Sequence, residues 1–221
     1  MITFSPLPWS YSKLSLYEQC GLKAALTHPA VGERPARVAH PAAVRGEKIH
    51  AELERWLKRK APAIPDEAVA FKRELFELRQ QGAAAEEPWW FDEGWEPLKR
   101  KAARWLTVVT DATTVKGDAL RLVDFKTGKV YDTHEDQGSL YALAAFKRSP
   151  RIVSVNVEFW YLDQARMREM RIKRRSERAL QSDYERRVGE MVNKPDLSPR
   201  PNRFCPWCPF RRDAGGPCPA A

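Results

Sequence analysis

Apolar residues recur along this chain with two different periods, and each change of period marks an element. From Val44 to Lys60, Ile49, Leu53, Trp56 and Leu57 recur at helical spacing with charge on the other side, which predicts an amphipathic helix. Pro62 and Pro65 end it. Asp66 to Gln81 predicts a second such helix, with Val69, Phe71, Leu75, Phe76 and Leu78 as its apolar members. Ser10 to Cys20 reads as a shorter helix capped by Ser10 or Ser12. Pro29, Pro35 and Pro41 break the next stretch into a linker. Glu86 to Pro97 reads as an irregular or edge strand. Leu106–Asp111 and Ala119–Lys126 predict a hairpin, with Lys116-Gly117-Asp118 in its turn. Glu135 to Arg148 is helical. Arg151 to Leu162 alternates as a strand, and Met167 to Ile172 is placed to pair with it. Ser176 to Asn193 is a helix with Leu180, Tyr184, Val188 and Met191 on one face. Strands fall between helices, so the class is mixed α/β or α+β.

Length and charge narrow the class. The 221 residues suffice for one sizeable domain. No apolar run approaches the roughly 18 residues of a membrane span. The first residues lack a basic stretch followed by an apolar one, so no signal peptide is expected and a reducing cytoplasm is the expected home. Lys and Arg exceed Asp and Glu by 38 to 29, a net charge of +9 that favours a polyanionic partner.

The hairpin carries the candidate chemistry. Residues two apart in a strand share a face, so Asp124 and Lys126 point together and Phe125 points away. Strand pairing brings Asp111 within reach of Asp124. Two carboxylates beside one ammonium make a site for Mg²⁺ or Mn²⁺ with a charge stabiliser at hand, the equipment for phosphodiester hydrolysis. Asp118, in the turn, is the second candidate for the first carboxylate. Gly46 and His50 lie four apart on one helix face, the glycine letting another backbone approach closely and the imidazole able to reach a metal. Gln137 and Tyr141 are likewise four apart, placed to hold a phosphate or orient Lys126. Each feature also has a plain reading: a salt-bridged surface hairpin, a surface histidine, a core tyrosine.

In order, Gly46-Glu-Lys-Ile-His50, Asp111, Asp124-Phe-Lys126-Thr-Gly-Lys129 and Gln137-Gly-Ser-Leu-Tyr141 resemble the motifs of RecB-type nucleases of the PD-(D/E)XK superfamily. The resemblance spans about residues 10–165. It implies a restriction-endonuclease-like core, a central mixed sheet flanked by helices. It implies that His50, Asp111, Asp124 and the carbonyl of Phe125 hold the metal. Lys126 would then polarise water or steady charge on the phosphate, with Gln137 and Tyr141 belonging to the motif beyond the core triad.

The four cysteines are Cys20 and a tail reading Cys205-Pro-Trp-Cys208 then Cys218. In a reducing compartment they suit tetrahedral Zn²⁺ or a [4Fe–4S] cluster rather than disulfides. One cysteine before the core and three after it is similar to the iron–sulfur subset of these nucleases, which includes CRISPR-adaptation nucleases and helicase-nucleases. The resemblance implies a cluster module built from about residues 1–25 and 194–221, around a core of about residues 40–175 within a single nuclease domain. Arg200, Arg203, Arg211 and Arg212 are then candidates for contacting phosphates. Trp89, Trp90, Trp95, Trp105, Trp160 and Trp207 are candidates for stacking on bases, Trp207 foremost. The expectation is a metal-dependent DNA exonuclease, 5′→3′, on single-stranded or frayed ends, in recombination, repair or CRISPR adaptation, with DNA and a recombination, helicase or CRISPR-adaptation protein as partners and a phage genome as a source. A non-catalytic nucleic-acid-binding module with an iron–sulfur or zinc centre is the alternative.

Overall fold

The computed structural model describes residues 4, 6–27, 41–128 and 133–220. The prolines at 29 and 35 and Lys129 of the hairpin motif lie outside those residues. The chain divides into two compact units, residues 39–181 and residues 1–38 with 182–221.

In the larger unit, α3 (Pro41–Leu57) starts at the proline that the sequence assigns to a linker. Proline is tolerated there because a first-turn N–H has no helical partner. The smaller unit opens with α1 (Tyr11–Gln19) and α2 (Gly21–Thr27). The predicted Asp66–Gln81 helix is a 3₁₀ stretch, Asp66–Phe71, followed by α4 (Lys72–Gln80). At three residues per turn Ala68 and Phe71 share the buried side, so Val69 turns outward.

Among the described residues one sheet of six strands runs in the order β2-β1-β3-β4-β5-β6. The strands are β1 (Ala84–Phe91), β2 (Pro97–Leu98), β3 (Leu106–Lys116), β4 (Ala119–Lys126), β5 (Ser154–Tyr161) and β6 (Arg166–Lys173). β3 continues past Asp111 because Thr113, Thr114 and Val115 are β-branched and pair with β4 as far as Lys116↔Ala119. Gly117, at φ 62°, makes the tight turn. Asp118 therefore sits seven positions from Asp111, at the far end of the hairpin and roughly 23 Å away along a strand.

β4 and β5 pair in parallel, which requires a crossover, and α5 (Thr133–Arg148) supplies it. Residues Leu140 to Phe146 of α5 are all buried. Gly138 lets the helix lie down on the sheet, since a Cβ there would meet Met170 Sδ at 2.7 Å and Phe159 Cζ at 2.9 Å. On the other face, α3 and α4 cover Ala112, Val123, Phe125 and Trp160. Phe71 stacks on Trp160 at 4.9 Å. Glu158 is buried among these aromatics, yet Arg121, Asn156 and the Trp160 indole N–H all donate to it. β4 thus buries Phe125 under α3 and carries Asp124 and Lys126 on the α5 side. No helix among the described residues is long and apolar enough to cross a membrane.

The smaller unit holds α1, α2, most of α6 (Glu177–Asn193) and the tail. Trp9 stacks on Tyr184, and Arg187 makes a two-pronged pair with Glu18.

Candidate active site

The site lies where the ladder gives way. β3 pairs with β4 only as far as Ala112↔Val123, so Asp111 and Asp124 are the next positions beyond the paired stretch. On its other side, β3 pairs through Ala85↔Ala112 and Glu87↔Thr110, leaving Glu86 opposite Asp111 and out of the ladder. Glu86 has φ 49°, the left-handed region that side chains other than glycine avoid. Such an outlier persists where its surroundings hold it, and functional sites are where it concentrates.

Asp111 is nearly buried. Its Oδ2 accepts the Phe125 N–H at 2.5 Å, and its Oδ1 lies 3.2 Å from His50 Nδ1. Glu86 Oε1 is 3.8 Å from the same imidazole nitrogen. One ligand atom each from His50, Glu86 and Asp111 falls within 4.8 Å of the others, the one such acid, histidine or cysteine group of three among the described residues. Asp124 stands outside this tight group. Its Oδ2 lies against Lys126 Nζ, at an angle that makes an ion pair and no hydrogen bond.

Lys126 is held from the helix side as well. Its ammonium donates to Gln137 Oε1 at 2.8 Å, and Gln137 Nε2 donates to the Tyr141 hydroxyl at 2.6 Å. The pair four apart on α5 thus orients the lysine. Gly46 serves α3 as expected of a close approach, although the neighbour is a side chain: a Cβ would lie 2.9 Å from Thr127 Oγ1.

Charge is concentrated here. Burial, with the Asp124 charge, pushes the Asp111 carboxyl up to about 6, against the pull of His50 and the Phe125 N–H. Burial opposes a charged His50, yet hydrogen bonds to Asp111 and Glu86 raise it to about 10. Burial lifts the Tyr141 hydroxyl well above its usual value, so it stays protonated. Carboxylates crowded at a partly buried site favour a bound cation. One imidazole and two carboxylates are a donor set that suits Mn²⁺, and the carboxylates alone suit Mg²⁺. The residues present therefore fit a divalent ion.

Glu86 is the residue the sequence reading missed. Nothing local distinguishes it from Glu87, because only the register with β3 sets it opposite Asp111.

The cysteines converge in the smaller unit. Cys20, Cys205, Cys208 and Cys218 line one cavity together with Lys23, Asn202 and Arg211. Backbone N–H groups of Lys23 and Arg200 point at Cys20 Sγ, each at 3.5 Å, and that of Asn202 at Cys205 Sγ, at 3.2 Å. Gly21 makes the close approach possible, because a Cβ there would overlap the Asp196 carbonyl. Gly21→Ala is expected to destabilise this unit by about 3 kcal/mol, the upper range for overpacking against unyielding backbone, as measured by urea unfolding.

Of the candidate phosphate contacts, Arg200 is occupied by the Tyr17, Glu18 and Asp196 carbonyls. Arg211 is turned onto Asp213 and the Pro206 carbonyl. Arg203 lies over Phe204, and Arg212 is exposed. Trp207 is 75% exposed, whereas Trp89, Trp95 and Trp160 are core residues.

None of the curated proteins matches this chain. The crystal structure of SSO0001 is similar over 96% of this chain and 85% of its own, at 18% identity and a TM-score of 0.48. The model of the PD-(D/E)XK nuclease superfamily matches in two overlapping stretches, residues 8–115 and 106–212. With that match running across both the hairpin acids and the helix behind them, the chain belongs to the PD-(D/E)XK nuclease superfamily.

Proposed function

We propose that this metal-dependent nuclease is a RecB-type DNA exonuclease of the iron–sulfur subset, acting on single-stranded or frayed ends with 5′→3′ polarity. The observation that carries the catalytic part is the convergence of His50, Glu86 and Asp111 beside the Asp124–Lys126 pair. In this reading His50, Glu86 and Asp111 hold the ion, with Asp124 and the Phe125 carbonyl completing the set. A divalent ion held there screens the phosphodiester's charge and makes water a better nucleophile. Lys126, fixed by Gln137 and Tyr141, presents its ammonium to negative charge developing on the phosphate. Phe125, packed under α3, fixes the backbone from which its two neighbours project.

For the cysteines we propose a [4Fe–4S] cluster. Four thiolates around one zinc would stand about 3.8 Å apart, given Zn–S bonds of about 2.3 Å. No three of these thiols come within 4.8 Å of one another, although all four line one cavity. That wider spacing favours a larger group. Backbone N–H groups aimed at sulfur suit a cluster, whose potential and stability such bonds tune. The cluster would tie the segment around Cys20 to the tail, with exposed Trp207 and Arg212 near it, and Arg203 and Arg211, as strand contacts. End processing in recombination, repair or CRISPR adaptation, in a cytoplasm and from a phage genome, fits such an enzyme.

The test is digestion of end-labelled single-stranded and duplex DNA with Mn²⁺ or Mg²⁺. The expected products shorten progressively from the 5′ end, faster with Mn²⁺, while circular single strands resist. Cleavage of circles at the same rate would sink the exonuclease reading, and no cleavage under either metal would sink the catalytic one.

A further inference from the structure

The central strands line up two rows of residues across the sheet. Lys126 pairs with Tyr161 and Tyr161 with Arg166; Asp124 pairs with Phe159 and Phe159 with Arg168. Residues paired across strands project to the same face. The α5 side is that face here, since Lys126 Nζ lies 5.9 Å from the Phe159 ring and Gly138 rests on Phe159 and Met170. Arg166 and Arg168 thus share a surface with the catalytic lysine, two strand spacings or roughly 10 Å away.

The turn that delivers them is fixed. Ala165 has φ 47°, Gln164 donates to the Gly128 carbonyl at 2.5 Å, and Asp163 takes both prongs of Arg45. Arg45, Arg121, Arg148 and Arg174 each hold an acid. Arg166 and Arg168, by contrast, form no ion pair or side-chain hydrogen bond among the described residues. Asp124 and then Glu135, on the first turn of α5, are the acids whose charges reach this corner, felt at the Tyr161 hydroxyl together with Arg168 and Arg166. Between the two arginines and Lys126 sits a rigid floor: His134 Nδ1 is 2.9 Å from the Tyr161 hydroxyl, and its ring lies against Phe159 and Tyr161. Burial, then Lys126 and Arg168, hold His134 down to about 4, so it adds no charge. Lys126 is paired with Asp124, so Arg166 and Arg168 are the cations on this face with no ion-pair partner among the described residues. Two such arginines beside the Lys126 site suit a ligand with more than one anionic group.

We infer that Arg166 and Arg168 form a strand-binding subsite for the phosphate next to the one cleaved at Lys126. This rests on the nuclease reading and specifies it: the substrate is a polymer of at least two phosphates, gripped along β6. The arginines bind and align the strand and take no part in bond breaking. Arginine suits the task because its planar fork matches a phosphate.

The test uses the full-length protein and the Arg166→Ala/Arg168→Ala variant, with binding of a single-stranded oligonucleotide measured in Ca²⁺. Affinity is expected to fall on the order of 10-fold, and the salt slope to become shallower by about 0.7 for each phosphate that is no longer gripped. Hydrolysis of bis(p-nitrophenyl) phosphate, which has no neighbouring phosphate, should stay within about 2-fold of wild type. Unchanged DNA affinity and salt slope would overturn the inference. So would an equal loss on the small ester, which would mark the arginines as structural. If wild type binds DNA with this dependence on the arginines but cleaves neither substrate, the subsite stands and the catalytic reading fails.

Discussion

Asp111→Asn is expected to lower DNA cleavage on the order of 10³-fold while leaving DNA affinity within about 3-fold of wild type. The substitution keeps an oxygen for the Phe125 N–H and removes the charge that faces His50 and Glu86. The melting temperature of the same variant tests for a fold defect. A carboxyl raised from 3.8 to about 6 on folding favours the folded state at acid pH and loses that contribution as pH climbs through this window. Above about pH 6 the burial of the charge works against the fold while its pairing with the charged His50 works for it, so the melting temperature of the metal-free asparagine variant at pH 8 is expected to lie near that of wild type. Glu86→Gln provides the partner experiment: its defect should be recovered by excess Mn²⁺, since one ligand of several is weakened. Retained cleavage in Asp111→Asn would show that the ion sits elsewhere.

On the cluster proposed for the four cysteines, the wild type is expected to be brown and to carry iron, and Cys205→Ser is expected to abolish both and to leave the tail open to protease. Cys205 and Cys20 bracket roughly 185 residues of chain. A link across a loop that long opposes unfolding by up to about 5 kcal/mol in the chain-entropy picture. The Asn202 N–H that points at Cys205 Sγ would face a hydroxyl too small to share a cluster. Iron and sulfide analysis of both proteins checks this directly. A colourless wild type carrying zinc would overturn the cluster, and a Cys205→Ser protein with full iron content would remove Cys205 from its ligands.

The two periods in the sequence placed most elements within a few residues, because amphipathic faces are written locally. α3, β5 and α6 are cases in which Leu53, Val157 and Tyr184 fall where the pattern puts them. Asp124, Lys126, Gln137 and Tyr141 were legible for the same reason: a step of two in a strand and four in a helix fixes which side chains share a side. The features that stayed hidden depended on register or on packing. The left-handed turn at Glu86 and its position opposite Asp111 need the β1–β3 pairing. Arg166 and Arg168 gain their place from two successive pairings through β5. Phe76, assigned to the apolar side of its helix, ends 43% exposed, its ring edge-on to Trp56. Arg200 and Arg211 also contact the backbone and acids of their own unit, which spacing alone does not reveal.

The parallel pairing of β4 with β5 has a consequence for how the enzyme is made. A ribosome that has released Asp111, Asp124 and Lys126 has not yet released the strand beside them, so the reactive ribbon waits with one bare flank. Such a flank is a template for unwanted association. That flank is covered only once α5 and β5 have emerged and β5 has paired alongside β4.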